Sequence, residues 1–467
     1  MHNYNLNSRF KTIIHRLSFI LLLLILVDLP SNAAGKRKQP NILLLFSDDH
    51  QATAINALGN PYIQTPNIDK LVDEGTTFTK TFTETPTCAP SRTALLTGCG
   101  SLTHGTFYPK YSQSVNKNLK RWPQTMKDAG YETFWTGKFN THGKPMEWGV
   151  DQTARIFPRG MGDHEMSFKE NGKTITGFSS ELFADAMINF INQKHDKPFF
   201  ATIAFTAPHD PRTPPGKYAT MYKPNEVPLP ANLLSHYNYN DGYDQIRDEV
   251  LIPYPRDIDT VRKEIADYYG MISHMDTQIG RILDALEKSG IDKNTIVIYA
   301  SDNGLAIGHH GLMGKFSFYG HSLQVPLIMR GPKIPENYRT DTYVYLHDLF
   351  PTICDMTDIS IPETVESKSF LSVLKKKKQP IHEYMFGALS NLKRSVSTRE
   401  YKLIRHYKSK TENKGTDEYL FFDLRNDPLE IKNEINNPLF ASKISELKEE
   451  LKREQIAKKD FLDPDYQ

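Results

Sequence analysis

The sequence has few cysteines and no excess of either charge. Its 467 residues include only three cysteines, Cys88, Cys99 and Cys354, which excludes a disulfide-rich scaffold. The 57 Lys and Arg residues nearly balance the 55 Asp and Glu residues, and a formal net charge of +2 gives no overall field that would attract nucleic acid. We expect Cys99 and Cys354 either to form one bridge or to be two separate buried thiols.

The sequence also lacks an apolar run of the about 20 residues that a membrane-spanning helix needs. Leu17–Val27 is apolar but only about half that length, and Asp28 and Pro30 end it. Basic residues precede this run and small residues follow it, namely Arg9, Lys11 and Arg16, then Ser31–Ala34. This order predicts a secretory signal peptide over residues 1–34. Because no cysteine follows it, we expect no lipid anchor and a soluble protein that is periplasmic or secreted.

Four apolar segments of the chain end abruptly in polar residues. They are Asn41–Phe46, Tyr131–Thr136, Phe199–Phe205 and Thr295–Ala300. Apolar runs without alternation are typical of strands buried on both faces, as in a parallel sheet. Helical stretches lie between them, of which Val261–Lys288 has the clearest spacing of apolar residues. The alternation predicts an α/β fold with a large, mainly parallel sheet sandwiched by helices.

The character of the chain changes after about Pro351. Short alternating segments between Tyr384 and Asp423, followed by a helix over Ser442–Lys458, predict a small antiparallel sheet in an α+β segment. We therefore expect a large N-terminal domain over residues 40–355 and a smaller C-terminal subdomain over residues 356–467. Pro211–Pro255, rich in Pro, Tyr and Asn, is predicted to be a long surface excursion.

Two pairs of oxygen-bearing side chains follow the first and last of the four predicted strands. Asp48 and Asp49 come after one, and Asp302 and Asn303 after the other. Either pair alone is typical of a turn or a helix cap. Ligands bind at the carboxyl ends of parallel strands, and carboxylate and amide oxygens suit Ca²⁺ or Mg²⁺ rather than zinc. Two such pairs, each after a buried strand, favour a metal site.

One cysteine lies in a turn bracketed by prolines, within Thr85–Gly98. A short apolar run after it predicts a helix, which would place Cys88 at a helix N-terminus that favours an anion. Cys88-Ala-Pro-Ser-Arg92 followed by Leu96-Thr-Gly98 resembles the signature of the formylglycine-dependent sulfatases, type I sulfatases of the alkaline phosphatase-like superfamily. The resemblance covers the chain from about Asn41 to Asn437, with the family's blocks in the family's order.

That resemblance implies a set of cofactors and site residues. A maturating enzyme would oxidise Cys88 to 3-oxoalanine (formylglycine), next to one Ca²⁺ ion, with Mg²⁺ as an alternative. The metal ligands would be Asp48, Asp49, Asp302 and Asn303 with the modified Cys88. Arg92 would hold the hydrated aldehyde, and four further residues would surround the sulfate: Lys138, His142, His209 and Lys315.

The chemistry of these groups fits the implied roles. A hydroxyl of the hydrated aldehyde attacks sulfur, and His209, with Lys315 nearby, is the predicted general acid for the departing alcohol. His142 is the predicted base that releases sulfate, although the family often places this histidine two or three residues after the lysine and here it is four after Lys138. His309, His310 and His321 lie near Lys315 in sequence, and are predicted either to contact substrate or to be exposed loop residues.

Export and this site together predict a sulfatase for sulfated polysaccharide fragments, with small aryl or alkyl sulfates as the second choice. The Pro211–Pro255 region and the C-terminal subdomain would form the sugar-binding rim, with Arg394 and His406 as candidates. Alternatives are a phosphate or phosphonate ester hydrolase, a sulfamidase, and an unmodified binding protein. Retention of every proposed ligand argues against the last. Neither nucleic acid nor a stable membrane anchor is expected.

Overall fold

The structure, a computed structural model, describes residues 39–106, 115–243, 245–377, 379–409 and 414–460. The signal peptide predicted over residues 1–34 lies outside the described residues. Among the helices that are described, none combines the length and apolarity of a membrane span.

Most of the strands belong to one large mixed sheet. The strands are β1 (Asn41–Ser47), β2 (Thr76–Phe82), β3 (Glu132–Lys138), β4 (Gln152–Phe157), β5 (Glu165–Glu170), β6 (Lys173–Phe178), β7 (Phe199–Ala204), β8 (Thr295–Ser301), β9 (Gln324–Arg330), β10 (Tyr338–Thr340), β11 (Val344–Tyr345), β12 (Met385–Leu389), β13 (Lys393–Ser397), β14 (Tyr401–His406) and β15 (Glu418–Asp423). The large sheet has nine strands, in the order β10-β2-β9-β8-β1-β7-β3-β4 with β11 paired to β2.

Helices lie on both faces of this sheet. The helices of the described residues, including those that do not pack on this sheet, are α1 (Pro66–Asp73), α2 (Cys88–Thr97), α3 (Ser101–His104), α4 (Trp122–Asp128), α5 (Ser179–Ile191), α6 (Arg247–Val250), α7 (Ile258–Lys288), α8 (Gly320–Leu323), α9 (Leu349–Met356), α10 (Leu371–Leu374) and α11 (Ala441–Ala457). The predicted helix over Val261–Lys288 corresponds to α7, whose N-cap Asp257 accepts a hydrogen bond from the Thr260 amide at 2.9 Å.

The centre of the sheet is parallel, as the sequence predicts. β8, β1, β7, β3 and β4 run parallel to one another, and β9 is antiparallel to both β8 and β2. All seven residues of β1 are buried. Leu44 and Phe46 pack in the core on one face and Leu43 and Leu45 in the core on the other. A strand covered on both faces needs apolar residues at every position, and this explains the unbroken run of apolar residues in β1.

The C-terminal residues form the predicted antiparallel sheet, with strand order β12-β13-β14-β15. Helix α11 packs Leu447 and Leu451 against Leu403 and Phe421 of this sheet. By its contacts the chain from Pro40 onward is one unit. Phe370 and Leu374 still pack in the core of the large sheet. The domain division predicted between residues 355 and 356 stays a prediction.

The three cysteines are free and buried. The prediction of a Cys99–Cys354 bridge is therefore wrong, and the alternative of two separate buried thiols is confirmed.

Candidate active site

The four strands with polar ends are adjacent in the sheet, in the order β8-β1-β7-β3. Their register aligns the ends: Ser47 pairs with Ser301, and Ala204 pairs with both Phe46 and Gly137. Because parallel strands end at the same edge, the residues that follow them meet there. The acidic pairs, His209 and Lys138 are thus brought to one place.

Cys88 is the first residue of α2, and all ten residues of that helix are buried. Its side chain is 6% exposed. The thiol donates a hydrogen bond to Asp48 Oδ1 at 3.2 Å, and Lys315 Nζ donates to Cys88 Sγ at 3.1 Å. Ser91 Oγ donates to the Asp302 carbonyl oxygen at 2.6 Å, which fixes α2 against the end of β8. The cysteine therefore lies inside the polar cluster.

Three carboxylates in the cluster are matched by three cations. Lys138 Nζ donates to Asp48 Oδ2, and Lys315 Nζ donates to both oxygens of Asp49 at 2.6 and 2.8 Å. Arg92 Nε donates to Asp302 Oδ2 at 2.8 Å, and its Nη2 lies 3.5 Å from Asp48 Oδ1. Since all these side chains are buried, each charge needs its partner to offset the cost of removing it from water.

Burial sets the pKa values of the cluster, and the neighbouring charges modify them. Burial by itself raises the pKa of Asp48, but Lys138, His209 and Arg92 together hold it well below its ordinary value. Burial, followed by the charge of Asp48, raises the pKa of Asp302. Burial and then Asp48 also raise the pKa of the Cys88 thiol well above its ordinary value. Unmodified Cys88 is therefore a protonated thiol and a poor nucleophile.

The donor set fits a hard divalent cation. Ligand atoms of Asp48, Asp49, Cys88 and His209 all lie within 4.8 Å of one another. Asn303 donates from Nδ2 to Asp49 Oδ1 at 2.7 Å, while its Oδ1 is buried and has no hydrogen-bond partner among the described residues. An unpaired buried amide oxygen next to carboxylates is an acceptor that could coordinate Ca²⁺ or Mg²⁺.

His209 joins the cluster with a defined orientation. Its Nε2 lies 3.7 Å from Asp49 Oδ2, whereas its Nδ1 lies 3.2 Å from Asp210 Oδ1 and 2.8 Å from the Asp210 carbonyl oxygen. His164 Nε2 contacts the His209 carbonyl oxygen at 2.9 Å. The Nε2 edge of His209 therefore faces the acidic centre.

The structure does not bring His142 into the cluster. It lies four residues beyond the end of β3, its side chain is exposed, and its carbonyl oxygen accepts a hydrogen bond from Trp148 Nε1 at 2.7 Å. Its catalytic role stays a prediction.

The three histidines near Lys315 in sequence form a separate group. His309, His310 and His321 line a cavity of about 110 Å³ together with Asn232 and Glu430. His309 Nδ1 contacts Asn232 Oδ1 at 2.6 Å, and His310 Nε2 contacts Asn232 Nδ2 at 2.9 Å. These contacts show that His309 and His310 are packed, so the prediction that they are exposed loop residues is wrong.

Two predictions for the substrate rim are wrong. Arg394 is fully buried and donates to both carboxylate oxygens of Asp460, at 2.5 and 2.9 Å. His406 is also buried, and its Nδ1 lies 3.4 Å from Glu418 Oε1. Both positions lie on strands of the small sheet, where inward-facing charged residues pair internally, and sequence alone does not distinguish the two faces.

The predicted surface excursion is also partly buried, and sequence reasoning missed what it contributes to the site. Asp241, Asp248 and Glu249 are all buried. Glu249 and Arg247 contact the chain next to Lys315 and His209, respectively. The only signal was a cluster of charged residues at 247–249 within an otherwise polar, Pro- and Tyr-rich stretch.

The fold and the site define the alkaline phosphatase-like class of hydrolases. The family model described as Sulfatase matches residues 40–359, more than half of the 467-residue chain. A second model, described as N-sulphoglucosamine sulphohydrolase, C-terminal, matches residues 308–457. The chain belongs to the sulfatase family, whose members hydrolyse sulfate esters, and the resemblance seen in the sequence is confirmed.

Curated relatives align over nearly the whole chain. An N-acetylglucosamine-6-O-sulfatase of Bacteroides thetaiotaomicron is 27% identical, over 96% of this chain and 92% of the relative. An arylsulfatase of Clostridium perfringens is 27% identical, over 89% of this chain and 94% of the relative.

Solved structures agree with these sequence matches. A protein in complex with its substrate D-glucosamine-2-N,6-O-disulfate superposes with a TM-score of 0.79 and 26% identity, covering 92% of this chain and 99% of that protein. A phosphonate monoester hydrolase of Agrobacterium radiobacter superposes with a TM-score of 0.75 at 20% identity, covering 90% of this chain and 96% of that protein, and supports the fold alone.

Proposed function

We propose that this protein is an exported sulfatase that removes sulfate from sulfated sugars, by means of formylglycine at position 88 and a bound Ca²⁺ ion. One observation supports the proposal above all others. Groups that lie far apart in the sequence, from Asp48 to Lys315, meet around the Cys88 side chain, with Lys315 Nζ at 3.1 Å and the Asp48 carboxylate at 3.2 Å from its sulfur.

Formylglycine and a calcium ion both fit the residues that would hold them. Formylglycine supplies an oxygen nucleophile and the calcium ion supplies positive charge, with Asp48, Asp49, Asp302 and Asn303 as the ligands that would hold the ion. Cys88 is only 6% exposed in the folded chain. An enzyme that oxidises it would therefore have to reach it before α2 packs into the core.

The remaining residues bind the sulfate group and move protons. Arg92, Lys138 and Lys315 bring three buried positive charges to the place where the sulfate oxygens would lie. His209, oriented by Asp210, is the general acid that protonates the departing alcohol from Nε2. His142 is retained as the proposed base, although it would have to approach from an exposed loop.

Sulfated sugars are the substrate class that the relatives support. One is named for N-acetylglucosamine-6-O-sulfate, and one solved structure holds a glucosamine disulfate. We therefore place O-sulfated glucosamine units of polysaccharide fragments first. A sulfamidase is the second candidate, because the model that matches residues 308–457 is named for N-sulphoglucosamine hydrolysis.

The proposal is tested by product analysis on defined substrates. The protein, purified with its maturating enzyme, is incubated with p-nitrophenyl sulfate, p-nitrophenyl phosphate, and glucosamine carrying either 6-O-sulfate or N-sulfate. We expect faster release of sulfate than phosphate, and O-desulfation in preference to N-desulfation. Faster phosphate release would overturn the sulfatase proposal, and preferential N-desulfation would assign the second candidate.

Mass spectrometry of the peptide containing Cys88 checks the modification independently. An aldehyde at position 88 is expected in active protein, and an intact thiol in equally active protein would contradict the mechanism. The intact mass of exported protein shows whether the chain begins after residue 34.

A further inference from the structure

A short helix outside the cluster contacts the residues next to Lys315 and next to His209. Helix α6, Arg247–Val250, lies within the stretch predicted as a surface excursion, yet Asp248 and Glu249 are buried. Three successive side chains of this helix reach toward Lys315 and His209. None of the three belongs to the sequence motifs of the cluster.

Glu249 holds the backbone that carries Lys315. Its Oε2 accepts the Met313 amide at 2.8 Å and its Oε1 accepts the Gly314 amide at 2.8 Å. Glu249 is 3% exposed. The two bonds hold the two residues before Lys315, so the carboxylate fixes the point from which that side chain extends toward Asp49 and Cys88.

Arg256 completes this clamp. Its Nη2 donates to Glu249 Oε2 at 2.6 Å and its Nε donates to the Gly311 carbonyl oxygen at 2.8 Å. A Cβ built on Gly314 would lie 2.8 Å from Asp248 Cβ and 2.9 Å from Glu249 Oε1. Only glycine allows so close an approach, and the loop and the helix are therefore packed backbone against side chain.

Arg247 holds His209 by a parallel route. Its Nη2 donates to Asp210 Oδ1 at 3.0 Å, and its Nη1 donates to Asp210 Oδ2. Asp210 Oδ1 in turn lies 3.2 Å from His209 Nδ1. A bidentate pair fixes both the position and the orientation of the carboxylate. The carboxylate in turn orients the imidazole.

We infer that helix α6 is a brace that sets the separation of Lys315 and His209, with Glu249 and Arg247 as positioning residues. This inference rests on the proposed roles of those two groups in sulfate binding and proton donation. The brace joins two loops that leave different strands, β7 and β8.

A double-mutant cycle tests the Glu249 arm. The variants are Glu249→Gln, Lys315→Met and the pair, assayed on p-nitrophenyl sulfate and by calorimetric binding of inorganic sulfate, with rates divided by the aldehyde content at position 88. We expect Glu249→Gln alone to lower kcat/KM at least about tenfold, since small misplacements of a binding group are costly. In the Lys315→Met background the same change should cost less than about twofold.

Glu226→Gln is the matched control, because it makes the same chemical change in the exposed Lys223–Glu226 pair of the same stretch. It should leave both readouts unchanged. If Glu249→Gln does not fold, Glu249→Asp replaces it, because it keeps the charge beside Arg256 and withdraws the oxygens from the two amides. The Arg247 arm uses Arg247→Gln with His209→Ala in the same design.

The outcomes separate this inference from the proposed function. If Lys315→Met and His209→Ala are as active as the unaltered protein, the proposed roles fail and the brace fails with them. If those two variants are impaired but Glu249→Gln and Arg247→Gln lower activity equally with and without them, only the brace is overturned. Unchanged activity in the two brace variants would also overturn it.

Discussion

At the scale of single residues, the buried side-chain oxygen of Asn303 indicates that the cluster is a metal site and not only a network of ion pairs. Asp48, Asp49 and Asp302 already have cationic partners, whereas Asn303 Oδ1 has none among the described residues. An ion placed there would satisfy the amide oxygen and compete with the lysines for the carboxylates.

We expect Asn303→Ala to weaken Ca²⁺ binding at least about tenfold, because it would delete one of the proposed ligands. Titration calorimetry of metal-free protein measures the affinity. Asn303→Asp, which keeps an oxygen at the same place, should retain binding. Equal Ca²⁺ affinity in the alanine variant and the unaltered protein would remove Asn303 from the ligand set.

A second residue-scale prediction concerns the buried pair Arg394–Asp460 of the small sheet. Asp460→Ala leaves a fully buried guanidinium without its carboxylate, and should lower the free energy of unfolding by about 3–5 kcal/mol. Asp341→Ala, which breaks the exposed Arg399–Asp341 pair, should cost no more than about 1 kcal/mol. Urea unfolding of the two variants measures the difference, and similar losses would show that burial is not the cause.

At the scale of elements, the approach of β3 to β7 determines where Lys138 lies. Gly137 has φ +90°, and a Cβ built on it would lie 2.0 Å from the Ala204 carbonyl oxygen. A side chain at this position would force the two strands apart, immediately before the lysine that pairs with Asp48. The glycine thus connects the packing of the sheet to the geometry of the site.

Gly130→Ala provides a control for Gly137→Ala, because Gly130 has φ +95° and nothing within 4 Å of its built Cβ. Gly130→Ala should cost only the torsional strain, about 1–2 kcal/mol. Gly137→Ala carries the same strain plus the clash, and should cost clearly more and lower sulfate-ester hydrolysis. Equal unfolding midpoints for the two variants would show that the strands have room to separate.

At the scale of the whole molecule, buried histidines couple folding to pH. Burial lowers the pKa of five of them to about 4 or about 3, below the ordinary value of 6.5; they are His50, His164, His309 and His347 at about 4, and His104 at about 3. Below pH 6.5 the unfolded chain binds more protons at these sites than the folded chain. Stability that is present above pH 6.5 is therefore lost as the pH falls toward 4.

We expect the urea midpoint to fall between pH 7 and pH 5, each histidine contributing about 1.4 kcal/mol per pH unit at most. Burial raises the pKa of Glu249 to about 7 and that of Asp276 to about 6, and these two groups oppose the effect of the histidines. His347→Gln removes one of these proton-binding sites, and should therefore reduce the fall in the urea midpoint. A midpoint that is constant from pH 7 to pH 5 would contradict the prediction.

The sequence by itself determined the α/β class, the small antiparallel sheet and the set of polar residues that meet at the site. It could do so because unbroken apolar runs identify strands buried on both faces. Each run stops at the carboxyl end of its strand, where the polar groups of the site begin. Asp48, Lys138, His209 and Asp302 were identified in this way.

Only the tertiary structure decided which charged residues outside those strand ends serve the site. Glu249 and Arg247 act on Lys315 and His209 across long intervals of sequence, and Arg394 turned out to be paired with Asp460 inside the small sheet. Neither a helix of four residues nor the face of a short strand leaves a periodic pattern that can be read. The partner of a buried charge is fixed by three-dimensional packing, and no local property of the chain encodes it.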